Sequence, residues 1–216
     1  MVRRNCLALA LAAAVSVAGS GCASGGARAP AVEGPPPAPG VEMALIPAFP
    51  STEETGTTVI VVRHAEKASG QGKDPHLSEA GEMRARALAR ALGNAGVTSV
   101  ITSQWLRTAE TAAPTARAAG VTPEVVSVNW DSIPRNAADI AAAVRRHSGG
   151  VVLVVGHSNT VPDIVAALGA GRPAEICDSE YDRMEIVSLE TSGGARVIET
   201  RYGAPTLERT GCASMR

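Results

Sequence analysis

Aromatic residues are scarce in this chain: two Trp, two Tyr and one Phe among 216 residues. That scarcity weakens any reading built on stacked bases or sugar rings. It also points to an open site of broad specificity. Charge of one sign is lacking too. The net charge is −1, so no bulk electrostatic attraction to nucleic acid exists. Eighteen of the twenty basic residues are arginine, a bias that carries no function by itself. There is no C-x-x-C and no paired-histidine spacing, which argues against a zinc site. No apolar run reaches the roughly 20 residues that a membrane-spanning helix needs.

What is present divides into three stretches. Met1-Val2-Arg3-Arg4-Asn5 is basic, Cys6 to Ala18 is apolar, and Gly19-Ser20-Gly21-Cys22 follows. Residues 1–22 therefore read as an export signal. A cysteine after small residues also resembles a bacterial lipoprotein box, with Cys22 as the lipidated residue and the membrane reached through that anchor. Simple secretion and a retained anchor are the other readings. The expected location is the periplasm or the outer membrane. Residues 23–52 are rich in Ala, Gly and Pro, with seven prolines from Pro30 to Pro50, and read as a semi-extended tether. Residues 53–216 are long enough for one domain with a real core. Within it lie Cys177 and Cys212, which an oxidising compartment would let pair as a disulfide.

The domain alternates strand and helix patterns. Val59–Val62 is a buried strand, and Ser78 opens a helix to about Ala95. Arg84, Arg86 and Arg90 fall largely off its apolar stripe. Val97–Ser103 reads as a strand, Trp105–Ala119 as a helix and Glu124–Val128 as a short strand. Asn136 reads as an N-cap of a helix running to about His147. Val151–Val155 is a strand, Thr160 opens a helix to about Leu168 with Asp163 in a capping role, and Met184–Leu189 with Arg196–Tyr202 form a hairpin. Repeated β–α units predict an α/β fold, a three-layer α/β/α sandwich on a mostly parallel sheet with an antiparallel edge.

Three strand ends carry the chemistry. The first delivers Arg63-His64-Ala65-Glu66, the second Ser103-Gln104-Trp105-Leu106-Arg107-Thr108-Ala109-Glu110-Thr111, and the third Gly156-His157-Ser158. In a parallel sheet such ends share one edge, so residues about 90 positions apart converge. Two guanidiniums suit a tetrahedral dianion, and the start of the helix after Ser103 adds positive potential. Beside two arginines an imidazole is biased towards its neutral, nucleophilic form. His64 is the expected nucleophile. Arg63, Arg107 and His157 are the expected phosphoryl ligands, with His157 stabilising transition-state charge. For the general acid two candidates stand level, Asp131 and Glu66. Glu110 is expected to orient Arg107 or help close its helix. His76 and His147 read as surface residues.

These motifs, in this order, resemble the histidine phosphatase superfamily, its phosphoglycerate-mutase-like branch, over residues 57–203. The resemblance implies the same roles for His64, Arg63, Arg107 and His157, and a phosphohistidine intermediate with no metal or cofactor. The expected partner is a small phosphorylated substrate or a phosphoprotein. Only 50 residues separate Arg107 from His157, where the mutases carry a longer insertion. A short lid favours hydrolysis over transfer. A phospho-ligand binding lipoprotein without catalysis, and a mutase-like phosphoryl transferase, are the rival readings.

Overall fold

A computed structural model describes residues 56–70 and 72–206. The signal, the tether, Cys22 and Cys212 lie outside the described residues. Ten elements follow one another: β1 (Thr57–Arg63), α1 (Glu79–Ala91), β2 (Val97–Thr102), α2 (Leu106–Ala119), β3 (Glu124–Val125), α3 (Ile133–Arg145), β4 (Val151–Gly156), α4 (Val161–Ala167), β5 (Arg183–Leu189) and β6 (Ala195–Arg201). The strands form one sheet in the order β3-β2-β4-β1-β5-β6. The four strands from β3 to β1 run parallel, and β5 and β6 add an antiparallel edge. Among the described residues no helix is long and apolar enough to cross a membrane.

Strand alternation divides the core into two layers. Val59, Val61, Val152 and Val154 face one side, where Ala137, Ile140, Ala141 and Val144 of α3 meet Ile164 and Val165 of α4. Ile60, Val62, Leu153 and Val155 face the other, against Leu88 of α1 and Ala112 and Ala116 of α2. Helices on both faces make the expected three-layer sandwich. The chain steps from β1 outward to β2 and β3, then returns to place β4 between β2 and β1. That reversal opens a crevice at the carboxyl ends of β1, β2 and β4. The ends are level: Arg63 pairs with Gly156, Thr102 with Val155, and His64 N donates to Gly156 O at 2.9 Å.

Two glycines are required by geometry. Gly120 ends α2 with φ 68°, a left-handed position. Gly81, in the first turn of α1, lies so close to the loop after His64 that a Cβ would sit 2.1 Å from Glu66 O. Only a residue without a side chain lets this helix approach the site.

Several local expectations are corrected. α3 begins at Ile133, with Pro134 in its first turn, where a missing N–H costs nothing. Asn136 is therefore inside the helix and buried. Its side chain bridges Asn129, donating to the carbonyl at 2.5 Å and accepting from the N–H at 3.0 Å. β3 stops at Val125 because Gln104 takes over as the partner. Its amide pairs with Val128 N and O at 2.8 and 3.0 Å, as a neighbouring strand would. Asp163 makes an ion pair with Arg172 at 2.8 Å instead of capping α4. His147 is half-buried, held between Ser99 Oγ and Glu124 Oε2.

Candidate active site

His64 sits just past the end of β1 and is 5% exposed. Its Nδ1 lies 2.8 Å from the Ala65 carbonyl. A carbonyl only accepts, so Nδ1 carries the proton and Nε2 keeps the lone pair. His157 follows β4, 3% exposed, with its ring centroid 5.3 Å from that of His64. The backbone N–H of His157 donates to Thr160 Oγ1 at 2.9 Å. Its Nε2 meets Ser103 Oγ at 3.1 Å, and Ser103 Oγ meets Thr108 Oγ1 at 2.9 Å. This hydroxyl chain runs in either direction by rotating two O–H groups. When Ser103 donates to Nε2, the His157 proton is on Nδ1.

Both imidazoles are held neutral. Burial lowers His64 to about 3; the Ala65 carbonyl works against that, and Arg63 and Arg107 add to the lowering. Burial likewise takes His157 to about 2, assisted by His64 and the two arginines. Desolvation, more than the neighbouring cations, is thus the main cause of neutrality. A pH dependence of stability follows. Histidine ordinarily titrates near 6.5, so below that pH the unfolded chain binds protons that the folded chain refuses. Stability is fully present above about pH 6.5 and falls as pH drops towards 3. The slope approaches about 1.4 kcal/mol per pH unit for each histidine. Urea midpoints at pH 7.5 and 5.5 should separate for the wild type. The gap should shrink in His64→Asn and His157→Asn; equal gaps in all three proteins would refute the assignment.

Arg63 is gripped before any ligand arrives. Its NH1 faces the carbonyls of Cys177, Asp178 and Glu180 at 2.7, 3.0 and 3.0 Å, and its Cζ lies 4.1 Å from the Tyr181 ring centroid. Its Nε is buried without a hydrogen bond among the described residues. The loop that supplies those carbonyls is itself anchored to the β5–β6 edge. Arg183 bonds Glu185 at 2.8 Å and Ala174 O at 2.5 Å, and Arg201 bonds Asp182 at 2.8 Å. Cys177 in this loop is disulfide-bonded. Its expected partner, Cys212, is outside the described residues.

Arg107, in the first turn of α2, is largely buried. Its NH1 lies 3.6 Å from Asp74 Oδ1 and its Cζ 4.7 Å from the Trp105 ring centroid. Asp74 also accepts from Leu106 N at 3.0 Å. The first N–H of α2 is therefore occupied by a carboxylate, which corrects the expectation that the helix start would serve the phosphate. Glu110 does not orient Arg107 either. It bonds Leu77 N at 2.8 Å and His76 Nδ1 at 2.5 Å, tying the preceding loop to α2.

Arg63, His64, Arg107 and His157 all line one pocket of about 260 Å³, joined by Lys67, Trp130, Ser158, Asn159 and three residues of the 175–178 loop. The two acid candidates do not line it. Glu66 places both oxygens on Arg84, at 2.8 and 2.9 Å. Arg84 is buried, not on an exposed face of α1, because it needs that carboxylate and the carbonyls of Tyr202 and Ala204. Asp131 is exposed, its N–H donating to Asn129 Oδ1 at 3.0 Å. The residue before it, Trp130, is the one that reaches the pocket. The carboxylates that do line it, Glu175 and Asp178, were missed. They belong to a loop without a recognisable pattern. Among the described residues, no group of three or more His, Cys, Asp or Glu is placed to hold a metal ion.

The model of the histidine phosphatase superfamily (branch 1) matches residues 59–128. That segment contains Arg63, His64 and Arg107, so the resemblance holds for the first two of the three motifs. Among solved structures, the protein histidine phosphatase SixA complexed with tungstate superposes with a TM-score of 0.53 at 20% identity, over 67% of this chain and 96% of that one. A mycobacterial glucosyl-3-phosphoglycerate phosphatase gives 0.50 at 17%, over 69% and 99%. The phosphoserine phosphatase of Entamoeba histolytica, in complex with 3-phosphoglyceric acid, gives 0.50 at 12%, over 68% and 97%. At these identities the likeness is one of fold: an α/β sandwich like that of the histidine phosphatases. No curated protein matches the chain.

Proposed function

We propose that this protein is a phosphatase that cleaves phosphate monoesters through a phosphohistidine on His64. One observation carries the reading. Arg63, at the end of β1, and Arg107, in the first turn of α2, reach the same pocket as a buried histidine whose Nδ1 is occupied by the Ala65 carbonyl. Nε2 is left as a neutral nucleophile beside two fixed cations, which is what attack on a phosphoryl dianion requires.

In this mechanism Arg63 and Arg107 hold the non-bridging oxygens, and their charge offsets what builds up during transfer. With the Ser103 hydroxyl donating to its Nε2, His157 carries its proton on Nδ1 and donates it to a phosphoryl oxygen. The Nε2 lone pair forms a bond to phosphorus while the P–O bond to the leaving group breaks. Water then attacks phosphorus, the P–N electrons return to Nε2, and inorganic phosphate leaves. Two guanidiniums and two imidazoles supply the electrostatics, and the scheme calls on no metal or cofactor.

The test is to trap the intermediate. Wild-type protein, quenched during turnover of a ³²P-labelled monoester with EDTA present, should carry phosphate that is acid-labile and stable to alkali. Peptide mapping should place it on His64. Label that survives acid, or that maps elsewhere, would refute the mechanism. Phosphate passing to a second acceptor instead of water would favour the transferase reading.

A further inference from the structure

The few aromatic residues are not scattered. Trp130 stands edge-on to His157, with centroids 4.9 Å apart and planes at 71°. Behind it lies Trp105 at 6.2 Å, and Trp105 in turn carries the Arg107 guanidinium. On the other side, the Tyr181 ring is 6.2 Å from His64. Three of the five aromatics in the chain therefore gather at the histidine pair, Tyr181 beside His64 and Trp130, backed by Trp105, beside His157. Trp130 differs from the other two in being 40% exposed. It is fixed from behind and from one edge, yet part of its indole opens on the pocket.

We propose that Trp130 is a leaving-group subsite, and that the preferred substrates carry the phosphoryl group on a planar aromatic oxygen, as aryl phosphates. This deepens, and rests on, the phosphatase reading above. In-line attack by His64 Nε2 places the bridging oxygen on the far side of phosphorus, towards the pocket mouth. There the exposed indole offers a flat apolar face that aryl rings fill better than alkyl chains.

A second observation, of a different kind, agrees. The carboxylates near the site are either held by an arginine or open to solvent. Glu66 is held on Arg84, Glu175 is paired with Arg172 at 2.8 Å, and Asp178 is largely exposed, 4.0 Å from Arg63. None hydrogen-bonds to His64 or His157 among the described residues. An alkoxide leaves poorly without a poised acid. A phenol titrates near 10, so its oxide takes the P–O electron pair and leaves with far less help, then collects a proton from water.

The probes are benzylphosphonate and n-butylphosphonate, which cannot turn over, with inorganic phosphate as the reference. Each is titrated as a competitive inhibitor against wild type, Trp130→Ala and Trp130→Phe. Wild type should bind the benzyl compound about tenfold more tightly than the butyl one, the size of a good aromatic contact. Trp130→Ala should erase that ratio while phosphate still inhibits, and Trp130→Phe should keep most of it. Equal inhibition of wild type by both phosphonates, or a benzyl preference that survives in Trp130→Ala, would overturn the subsite. With phosphate still inhibiting, that result leaves the phosphatase reading standing. Failure of phosphate to inhibit, together with no turnover of aryl phosphates, would overturn both.

Discussion

A His64→Ala variant is expected to lose turnover by a factor on the order of 10⁴ or more, the scale seen when a nucleophile that acts with its partners is removed. The loss should lie in kcat, because Arg63, Arg107 and His157, the proposed phosphate ligands, still line the pocket. Phosphate should therefore go on binding to the inactive protein, and calorimetry or phosphate-dependent thermal shift can measure it. The variant should also resist acid better than the wild type, since it deletes a group that burial holds at about 3. Gain of stability at pH 5 with loss of activity at pH 7 is a pair of effects that a merely structural histidine would not produce. Retained turnover would end the nucleophile assignment.

Arg63→Lys should be nearly as damaging as Arg63→Ala, with kcat/KM down roughly 10²–10³-fold in each. The reason is the guanidinium's double duty. One nitrogen satisfies three carbonyls of the 177–180 turn, and the rest of the fork is left for the substrate. An ammonium cannot do both. Truncation also removes the side-chain donor from three part-buried carbonyls, of which Cys177 O keeps the Glu180 N–H at 2.9 Å, so Arg63→Ala should lower Tm measurably. Arg107→Ala is the control. Among the described residues the ion pair of Arg107 is with Asp74, at 3.6 Å, and its loss should cost a similar factor in activity with little change in Tm. Near wild-type kcat/KM in Arg63→Lys would refute the clamp.

The parallel half of the fold and the four central residues were legible in the sequence because each strand ends abruptly in a charged or reactive group. An apolar run stopping at Arg63-His64 or at Gly156-His157 has few physical explanations. What escaped was recognition between backbone and distant side chains. Nothing in the sequence of the 174–182 loop marks its carbonyls as the seat of Arg63, since carbonyls are the same in every residue. Glu66 lies inside a motif of reactive residues, yet its partner Arg84 sits 18 positions on, at a place where helical spacing predicts a solvated face. Asp74 caps α2 from 32 positions away. Counting aromatics over the whole chain hid their concentration at one place. Asp131 failed by a single position, because the exposed turn directs Trp130, and not its neighbour, towards the pocket.

The position of β1 in the sheet has a consequence for how the protein is made. This strand leaves the ribosome before the other nine elements, yet both of its neighbours come late: β4 begins at Val151 and β5 ends at Leu189. Until then its row of valines has no strand partner on either edge, and the nascent chain cannot complete its central pairing. Assembly of the central sheet waits for these late strands, and it is slow because every strand pairing of β1 spans about 90 residues or more. His64, just past its tip, therefore gains its surroundings only late in folding, and a chain stalled well short of β5 carries His64 but no seat for Arg63.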